Sequence, residues 1–275
     1  MADSVVDDTQ QRMPVLFVPH GAGPCFFMDW QPADTWHALG AFLRGVSETL
    51  PARPKAIVLV SAHWLDDRFA VTGHGHPELV YDYYGFPPHT YELAYPAPGQ
   101  PALAERTREL LSAAGLPSGV DPQRGFDHGM FIPLKLMFPA ADIPVIQLSL
   151  QRHLDPRAHL QAGRALAALR EEGVLIVASG MSFHNMRGYG DERFSALSAE
   201  FDDWLTAAVE SAPAERDRLL AQWTSAPHAR LCHPEGGEEH LLPLMVAAGA
   251  AGDSLGRNVY TEQVMKTTIS AYRFG

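Results

Sequence analysis

Cysteine is scarce in this sequence, and its scarcity excludes two kinds of protein. Cys25 and Cys232 are the only cysteines among 275 residues, so a disulfide framework is not expected. A site built from several thiolates is excluded by the same count, although each cysteine lies near a histidine that is a candidate ligand. Few cysteines and no disulfide framework fit a reducing compartment, and we therefore predict a cytoplasmic protein.

Positive charge and long apolar runs are also lacking. The formal net charge of −11 argues against a nucleic-acid-binding surface, because such a surface needs clustered lysine and arginine. No apolar run approaches the roughly 20 residues of a membrane helix. The N-terminal MADSVVDDTQQR has neither the basic start nor the apolar centre of a signal peptide. We expect no nucleic-acid partner and no membrane partner, and the sequence leaves the oligomeric state open.

Short apolar runs alternate with stretches of helical spacing along the chain. The runs AIVLVSA and VLIVASG are continuously apolar, which is typical of parallel strands covered on both faces. The pattern predicts an α/β fold: a single domain, residues 14–275, with a central, mostly parallel or mixed sheet flanked by helices, after a polar tail over 1–13. Strands are predicted at 14–19, 54–64, 144–150, 174–180 and 263–273, and helices at 33–49, 101–114, 156–172, 194–222 and 238–250.

The segment 74–99 interrupts this alternation. It contains five tyrosines, one phenylalanine and five prolines, so we predict a long ordered loop. Two interpretations remain open from the sequence. The loop is either an aromatic cover over a sheet edge or a subunit contact, or it is the wall of a pocket for a flat ligand.

Three histidines occupy equivalent places, at or just beyond the carboxyl ends of predicted strands. They are His20, His63 and His184. A single histidine of this kind is more often a core or capping residue, but packing gives no reason to choose imidazole three times. Open α/β sheets bind ligands at this edge, and neutral imidazole is the commonest metal ligand, so we predict a metal site there. His128 in GFDHG and His240 near a predicted helix start are further candidates.

The remaining histidines are interpreted as surface or structural residues. His233 is the least certain of these, because it begins the segment that carries His240. The others lie in turns, in the tyrosine-rich loop or beside helices: His37, His74, His76, His89, His153, His159 and His228.

Seven motifs carry a family resemblance over nearly the whole chain. In order, they are PHGAGP, SAHW, YDYYGFP followed by YPAPG, GFDHG, ASGMSFHNMR, HPEGGEEHLLPL and SAYRFG. Together they resemble the DOPA-type extradiol aromatic ring-opening dioxygenases, within the class III extradiol group that includes protocatechuate 4,5-dioxygenase. The resemblance implies a non-haem Fe(II) enzyme that inserts both atoms of O2 into a catecholic substrate and opens its ring.

The resemblance also assigns roles to the five histidines. It implies that His20, His63 and His240 are metal ligands. It implies that His184 is the acid/base of the reaction, or a fourth ligand if zinc occupies the site. It implies that His128 contacts the substrate or oxygen.

The third ligand position is where this sequence departs from the protocatechuate-type pattern. That pattern has a glutamate there, whereas this chain reads Glu238-Glu239-His240. We predict His240 as the ligand, with Glu239 as the second choice. An all-histidine site also suits zinc, which cannot change redox state. Substrate-binding residues are not identified, and Arg124 and Arg187 are the nearest candidates for a carboxylate contact.

Two other functions are compatible with the same residues. One is a zinc-dependent hydrolase with His184 or Glu239 as the base, although the chain contains no HExxH motif. The other is a non-catalytic metal-binding relative, since a fold does not establish an activity. We expect the dioxygenase. Oxygen consumption separates it from both alternatives.

Overall fold

A computed structural model of the protein describes residues 12–275, and residues 1–11 of the predicted tail lie outside the described part. Within 12–275 there are ten strands and eight α-helices. The strands are β1 Val15–Pro19, β2 Ala56–Asp66, β3 Phe69–Thr72, β4 Leu79–Val80, β5 Ser118–Asp121, β6 Phe126–Asp127, β7 Val145–Gln151, β8 Val174–Gly180, β9 Gly256–Val264 and β10 Thr267–Phe274. The helices are α1 His37–Gly45, α2 Pro101–Ala113, α3 His128–Met137, α4 Pro156–Leu166, α5 Arg193–Glu210, α6 Pro213–Ala221, α7 Ala229–Cys232 and α8 Leu242–Ala251.

Eight of these strands form one mixed sheet in the order β5-β3-β7-β2-β8-β1-β10-β9. The four central strands, β7, β2, β8 and β1, run parallel to one another. Strands β1, β7 and β8 are buried throughout, and β2 is buried as far as Ala62, because helices cover both faces of the sheet. The sequences of β1 and β8 are almost entirely apolar, whereas β7 (VIQLSLQ) alternates apolar and polar residues. The predicted fold class, a single α/β domain with a mostly parallel or mixed sheet, is confirmed.

The register brings the carboxyl ends of three central strands to one place. Pro19 at the end of β1 pairs with Gly180 at the end of β8, and Ser61 in β2 pairs with Ser179. The pairing of β2 with β7 is interrupted between Val60 and Leu65. His63 therefore lies in an irregular stretch of β2, whose strand conformation continues to Asp66 and beyond the end predicted from the sequence.

The prediction of one final strand over 263–273 is wrong. The C-terminus is a hairpin, with β9 antiparallel to β10 and β10 antiparallel to β1. Its turn consists of Met265 and Lys266, both with positive φ, at 48° and 69°. Neither is a glycine or asparagine, so the usual signal for such a turn is missing from the sequence. For that reason the alternation of apolar and polar residues predicts a single strand where the structure has two.

Several helix bounds also differ from the predictions. The predicted helix over 194–222 is two helices, α5 and α6, because Pro213 begins a new helix after an extended residue at Ser211. The helix predicted over 238–250 begins at Leu242, which leaves His240 in the preceding turn. Helix α8 is apolar and buried all round but only ten residues long, and over 12–275 no helix is both long and apolar enough to cross a membrane.

Candidate metal centre

Three imidazoles meet at the carboxyl edge of the sheet. His20 follows β1, His63 lies in the irregular part of β2, and His240 lies in the turn before α8. One ring nitrogen of each falls within 4.8 Å of the others, and the Nε2 atoms of His20 and His63 are 3.0 Å apart. The sequence predicted that these residues would converge, and the structure brings them together.

The ring of His20 is held by a chain of contacts that begins at a proline inside a helix. Pro133 has no N–H to offer the carbonyl of Gly129, four residues earlier in α3. The hydroxyl of Ser179 donates to that carbonyl instead, and its oxygen lies 3.1 Å from His20 Nδ1. Because the hydroxyl proton is committed, Nδ1 of His20 is the donor of this pair. The lone pair of His20 is therefore on Nε2, which faces the other imidazoles.

His240 is oriented by its neighbour in the sequence. Nδ1 of His240 lies 2.9 Å from Glu239 Oε1, so the carboxylate accepts the Nδ1 proton and leaves Nε2 as the free nitrogen. The backbone carbonyl of His240 also accepts the N–H of Met181, which ties this turn to the end of β8. Glu239, the second choice for the third ligand, is placed where it supports His240.

Asp82 joins two further histidines, and sequence analysis missed it. Its Oδ1 accepts both the backbone N–H and the Nδ1 proton of His128, at 3.0 and 2.8 Å, and its Oδ2 lies 3.8 Å from His63 Nδ1. The segment that carries Asp82 is fixed by the parallel pair of β4 and β6. Hydrogen bonding to His128 and the nearby imidazoles hold the pKa of Asp82 below its usual value, against the opposing effect of burial.

His184 stands beside the three-histidine group. Its ring stacks on that of His240 with centroids 3.4 Å apart, and its Nδ1 is 3.8 Å from Glu239 Oε1. The backbone N–H of His184 donates to the carbonyl of Cys232, which fixes the loop after β8. Burial lowers the pKa of His184 to about 4, so the ring is neutral near pH 7.

Burial keeps the three converging imidazoles neutral as well. Their pKa values lie well below the ordinary histidine value, first because the rings are removed from water and then because neighbouring imidazoles would repel a second charge. Metal ligation requires neutral imidazole with a free lone pair. The donor set therefore fits a transition-metal ion that accepts nitrogen ligands.

Two glycines allow the backbone to approach closely enough for this convergence. A side chain on Gly129 would lie 2.6 Å from Ser61 Oγ and 3.0 Å from the His63 ring, and one on Gly180 would lie 2.1 Å from the carbonyl of His240. Only glycine fits either place without displacing His63 or His240. The site thus depends on backbone packing as well as on the histidines themselves.

The other sequence candidates are not in the centre. Cys25 and Cys232 are buried, and burial raises the pKa of both thiols, to about 12 for Cys232, so neither is a thiolate. His233 is buried, and its Nε2 is hydrogen-bonded to the carbonyl of Ser182, so its role is structural. Arg124 lies against Asp127 and the ring of Trp64.

A cavity of about 280 Å³ opens onto all five histidines. Apart from these rings and the backbone of residues 21–23, its walls are apolar or aromatic side chains: Trp30, Trp36, Phe86, Met186, Tyr189 and Met265. The loop 74–99 contributes only Phe86 to this wall, while Tyr81 and Tyr83 pack on Phe131 and on each other. The pocket-wall interpretation holds for Phe86, whereas Tyr81 and Tyr83 cover helix α3 rather than a sheet edge. The subunit contact stays a prediction.

Comparison with known proteins agrees with this geometry. Residues 14–275 match the family described as the catalytic LigB subunit of aromatic ring-opening dioxygenase. The chain belongs to this family. The resemblance predicted from the motifs is confirmed, and so is the enzyme class, extradiol ring-cleavage dioxygenase. Dioxygenases of the family depend on a metal, in agreement with the buried histidine and aspartate cluster.

Individual relatives cover most of the chain. A dioxygenase, tasH, of Hapsidospora irregularis is 39% identical over 95% of this chain and 85% of its own length. The 4,5-DOPA dioxygenase extradiol of Beta vulgaris is 40% identical over 87% of each chain, and that of Escherichia coli K12 is 39% identical over 87% of this chain and 85% of its own. A crystal structure of an uncharacterized Escherichia coli K12 protein aligns with a TM-score of 0.76 at 32% identity, over 96% of this chain and 100% of that one.

The contacts of Asp82 lead to a first prediction. The substitution Asp82→Asn removes the charge that orients His128. Losing such a supporting contact typically lowers activity or metal affinity about 10- to 100-fold. We expect kcat for ring opening to fall by that factor while the thermal unfolding midpoint stays unchanged. Asp67→Asn is the matched control, because Asp67 is an exposed carboxylate paired only with Arg152. Full kcat in Asp82→Asn would show that His128 needs no such support.

Proposed function

We propose that this chain is an Fe(II)-dependent extradiol dioxygenase that opens the ring of a catechol, with His20, His63 and His240 holding the metal. The observation that carries the proposal is the convergence of these three neutral imidazoles at the carboxyl edge of the sheet, inside a cavity with aromatic walls. A set of only three protein ligands would leave other positions of a bound iron ion free for a diol and O2.

Iron, when bound, supplies the redox-active centre that lets electrons of the aromatic diol reach O2. The chain supplies the rest. Ser179 and Glu239 hold the Nδ1 atoms of His20 and His240, so that each ring presents Nε2 to the centre. The apolar wall excludes water and presents flat surfaces on which an aromatic ring can lie.

Proton transfer is assigned to His184. It is neutral near pH 7 and reaches the same cavity, so it can accept a proton from a substrate hydroxyl and hold it until the ring opens. Its closest carboxylate, Glu239, is 3.8 Å away and is engaged by His240, which leaves the His184 ring free for this exchange.

His128 takes a second polar role in the cavity. Asp82 accepts its Nδ1 proton at 2.8 Å, so Nε2 is the nitrogen left to accept a hydrogen bond from the substrate hydroxyl. Its ring lies 3.9 Å from that of His63, between the metal ligands and the tyrosine-rich loop. His128 thus faces the same guest as His184 from another side of the cavity.

Zinc is the second candidate for the metal, because an all-histidine set satisfies it too. With zinc, His184 is the fourth ligand we propose, since its ring stacks on His240. A zinc-loaded protein is expected to be folded and inactive in ring cleavage. The two metals therefore give opposite results in an oxygen assay.

The activity itself is tested by oxygen uptake. Protein reconstituted anaerobically with Fe(II) is expected to consume O2 with substituted catechols and to form the yellow ring-opened product, whereas zinc-loaded protein consumes none. The stoichiometry should be one O2 per catechol, because both atoms enter the product. If the iron-replete protein takes up no O2 with any catechol, the proposal is contradicted and the zinc-dependent hydrolase becomes the favoured function.

The ligand assignment is tested by metal content. His20→Ala and His63→Ala each remove one of three ligands, so we expect both variants to lose their iron on dialysis, as measured by elemental analysis. His153→Ala serves as control, because His153 is exposed and belongs neither to the histidine cluster nor to the cavity lining. Stoichiometric iron retained by either ligand variant would remove that residue from the set.

The proton-transfer role is tested by a variant that keeps the metal. His184→Phe preserves a flat ring against His240 and removes both nitrogens. We expect iron content to stay near stoichiometric while turnover falls by ~10²–10⁴-fold, the range for a lost general acid/base. Unchanged turnover in iron-replete His184→Phe would exclude the role.

A further inference from the structure

Among the residues that the structure describes, no aspartate, glutamate, lysine or arginine lines the cavity that serves the metal centre. Its remaining side chains are the tryptophans 30 and 36, Phe86, Tyr189 and the methionines 186 and 265. The one hydroxyl among them is engaged, since Tyr189 donates to the carbonyl of Phe183 at 2.9 Å. A substrate in this cavity therefore meets mostly apolar and aromatic surfaces on every side except the metal edge.

The cations nearest in sequence to the site are all directed elsewhere or lie outside the wall. Arg124 contacts Asp127 and Trp64, and Lys266 is paired with Glu192 at 2.9 Å. Arg187 follows a wall residue but is exposed and does not line the cavity. A substrate carboxylate in this cavity would lose its water and would find no lysine or arginine among the lining residues that the structure describes.

The apolar wall also continues outward to the surface. Met186 is 73% exposed at the mouth, one of few large apolar side chains so exposed over residues 12–275. An exposed apolar residue at the rim of a cavity extends the surface that a guest can cover. The mouth of the cavity thus offers an apolar surface to an uncharged ring substituent that extends out of the cavity.

We propose that the substrate is a catechol whose ring substituent is uncharged and apolar, and that catechols with a carboxylate on the side chain are disfavoured. This inference rests on the proposed function, because it takes the diol to be bound at the metal edge. The inferred substrate differs from the one in the names of the curated relatives, because DOPA carries both a carboxylate and an ammonium group.

A matched pair of substrates tests it. Iron-reconstituted protein is assayed at pH 7.5 with 3-(3,4-dihydroxyphenyl)propanoate and with its methyl ester, and 4-propylcatechol and DOPA complete the series. We expect kcat/KM for the ester and for 4-propylcatechol to exceed that of either carboxylate by about 10- to 100-fold, the effect of one unpaired buried charge. Equal or higher kcat/KM for the carboxylates would overturn the inference and leave the dioxygenase in place.

Binding is measured separately from turnover. Calorimetry under argon, without O2, gives the affinity of the acid and of the ester for the iron-loaded protein, and again for the metal-free protein. The ester is expected to bind more tightly in both. If iron-loaded protein takes up no O2 with any catechol, the proposed function fails, and the calorimetric preference still decides the inference. Tighter binding of the acid, or no binding of either compound, overturns it.

Substitutions at the mouth of the cavity test which residues cause the preference for the ester over the acid. Met186→Arg places a cation beside the substituent, so the preference for ester over acid is expected to shrink at least several-fold, whereas Met186→Gln, of similar length without charge, should keep it. Arg187→Ala should also keep it, because that side chain lies outside the wall. A carboxylate rate that falls specifically in Arg187→Ala would identify Arg187 as a partner for the acid and contradict the proposal.

Discussion

Five imidazoles share one buried volume at the edge of the sheet, and the rest of the site is arranged around that constraint. Burial lowers the pKa values of four of these rings, those of His20, His63, His184 and His240, so these four stay neutral. With Nε2 of His20 and of His63 3.0 Å apart, either a shared proton or a metal cation must lie between the two lone pairs. Metal binding therefore competes with protonation, as it does wherever imidazoles ligate a metal.

The supporting contacts determine which nitrogen of each ring faces inward. Ser179, Glu239 and Asp82 each hold the Nδ1 side of a histidine, at 3.1, 2.9 and 2.8 Å, for His20, His240 and His128. For His20 the arrangement goes back to a proline, because Pro133 leaves the Gly129 carbonyl of α3 open to Ser179. A helix irregularity that would ordinarily only cost stability here sets the tautomer of a metal-site residue.

The sequence predicted the parts of this arrangement that depend on local pattern. Continuous apolar runs located β1, β2 and β8, and the general geometry of parallel sheets placed their histidines together. Several elements were missed, including strands β3 and β5, helix α3 and one strand of the C-terminal hairpin. Helix α3 is buried all round, with Lys135 as its one partly exposed residue, so it shows no amphipathic period. The hairpin turn at Met265 carries none of the residues that usually mark positive φ.

Asp82 could not be predicted for a different reason. Its place depends on the pairing of two-residue strands, β4 and β6, which are more than forty residues apart and too short to show a pattern. The tyrosines around it suggested a ligand wall, yet most of them pack on α3 and on one another. A carboxylate within an aromatic loop cannot be recognised from the sequence as a supporting residue, because its role depends on a histidine that only the fold brings next to it.

The two sides of the cavity have different origins in the chain. The metal edge comes from strand ends and glycine contacts that cannot shift without disturbing the sheet, as the close approach at Gly180 shows. The opposite wall comes from connecting segments, including the loop of Tyr189 and the turn of Met265, joined by a hydrogen bond from the Gly190 N–H to the Met265 carbonyl. Loops change with little cost to a fold, whereas strand ends do not. Ring chemistry can therefore stay constant in this architecture while the preferred substituent changes with the wall.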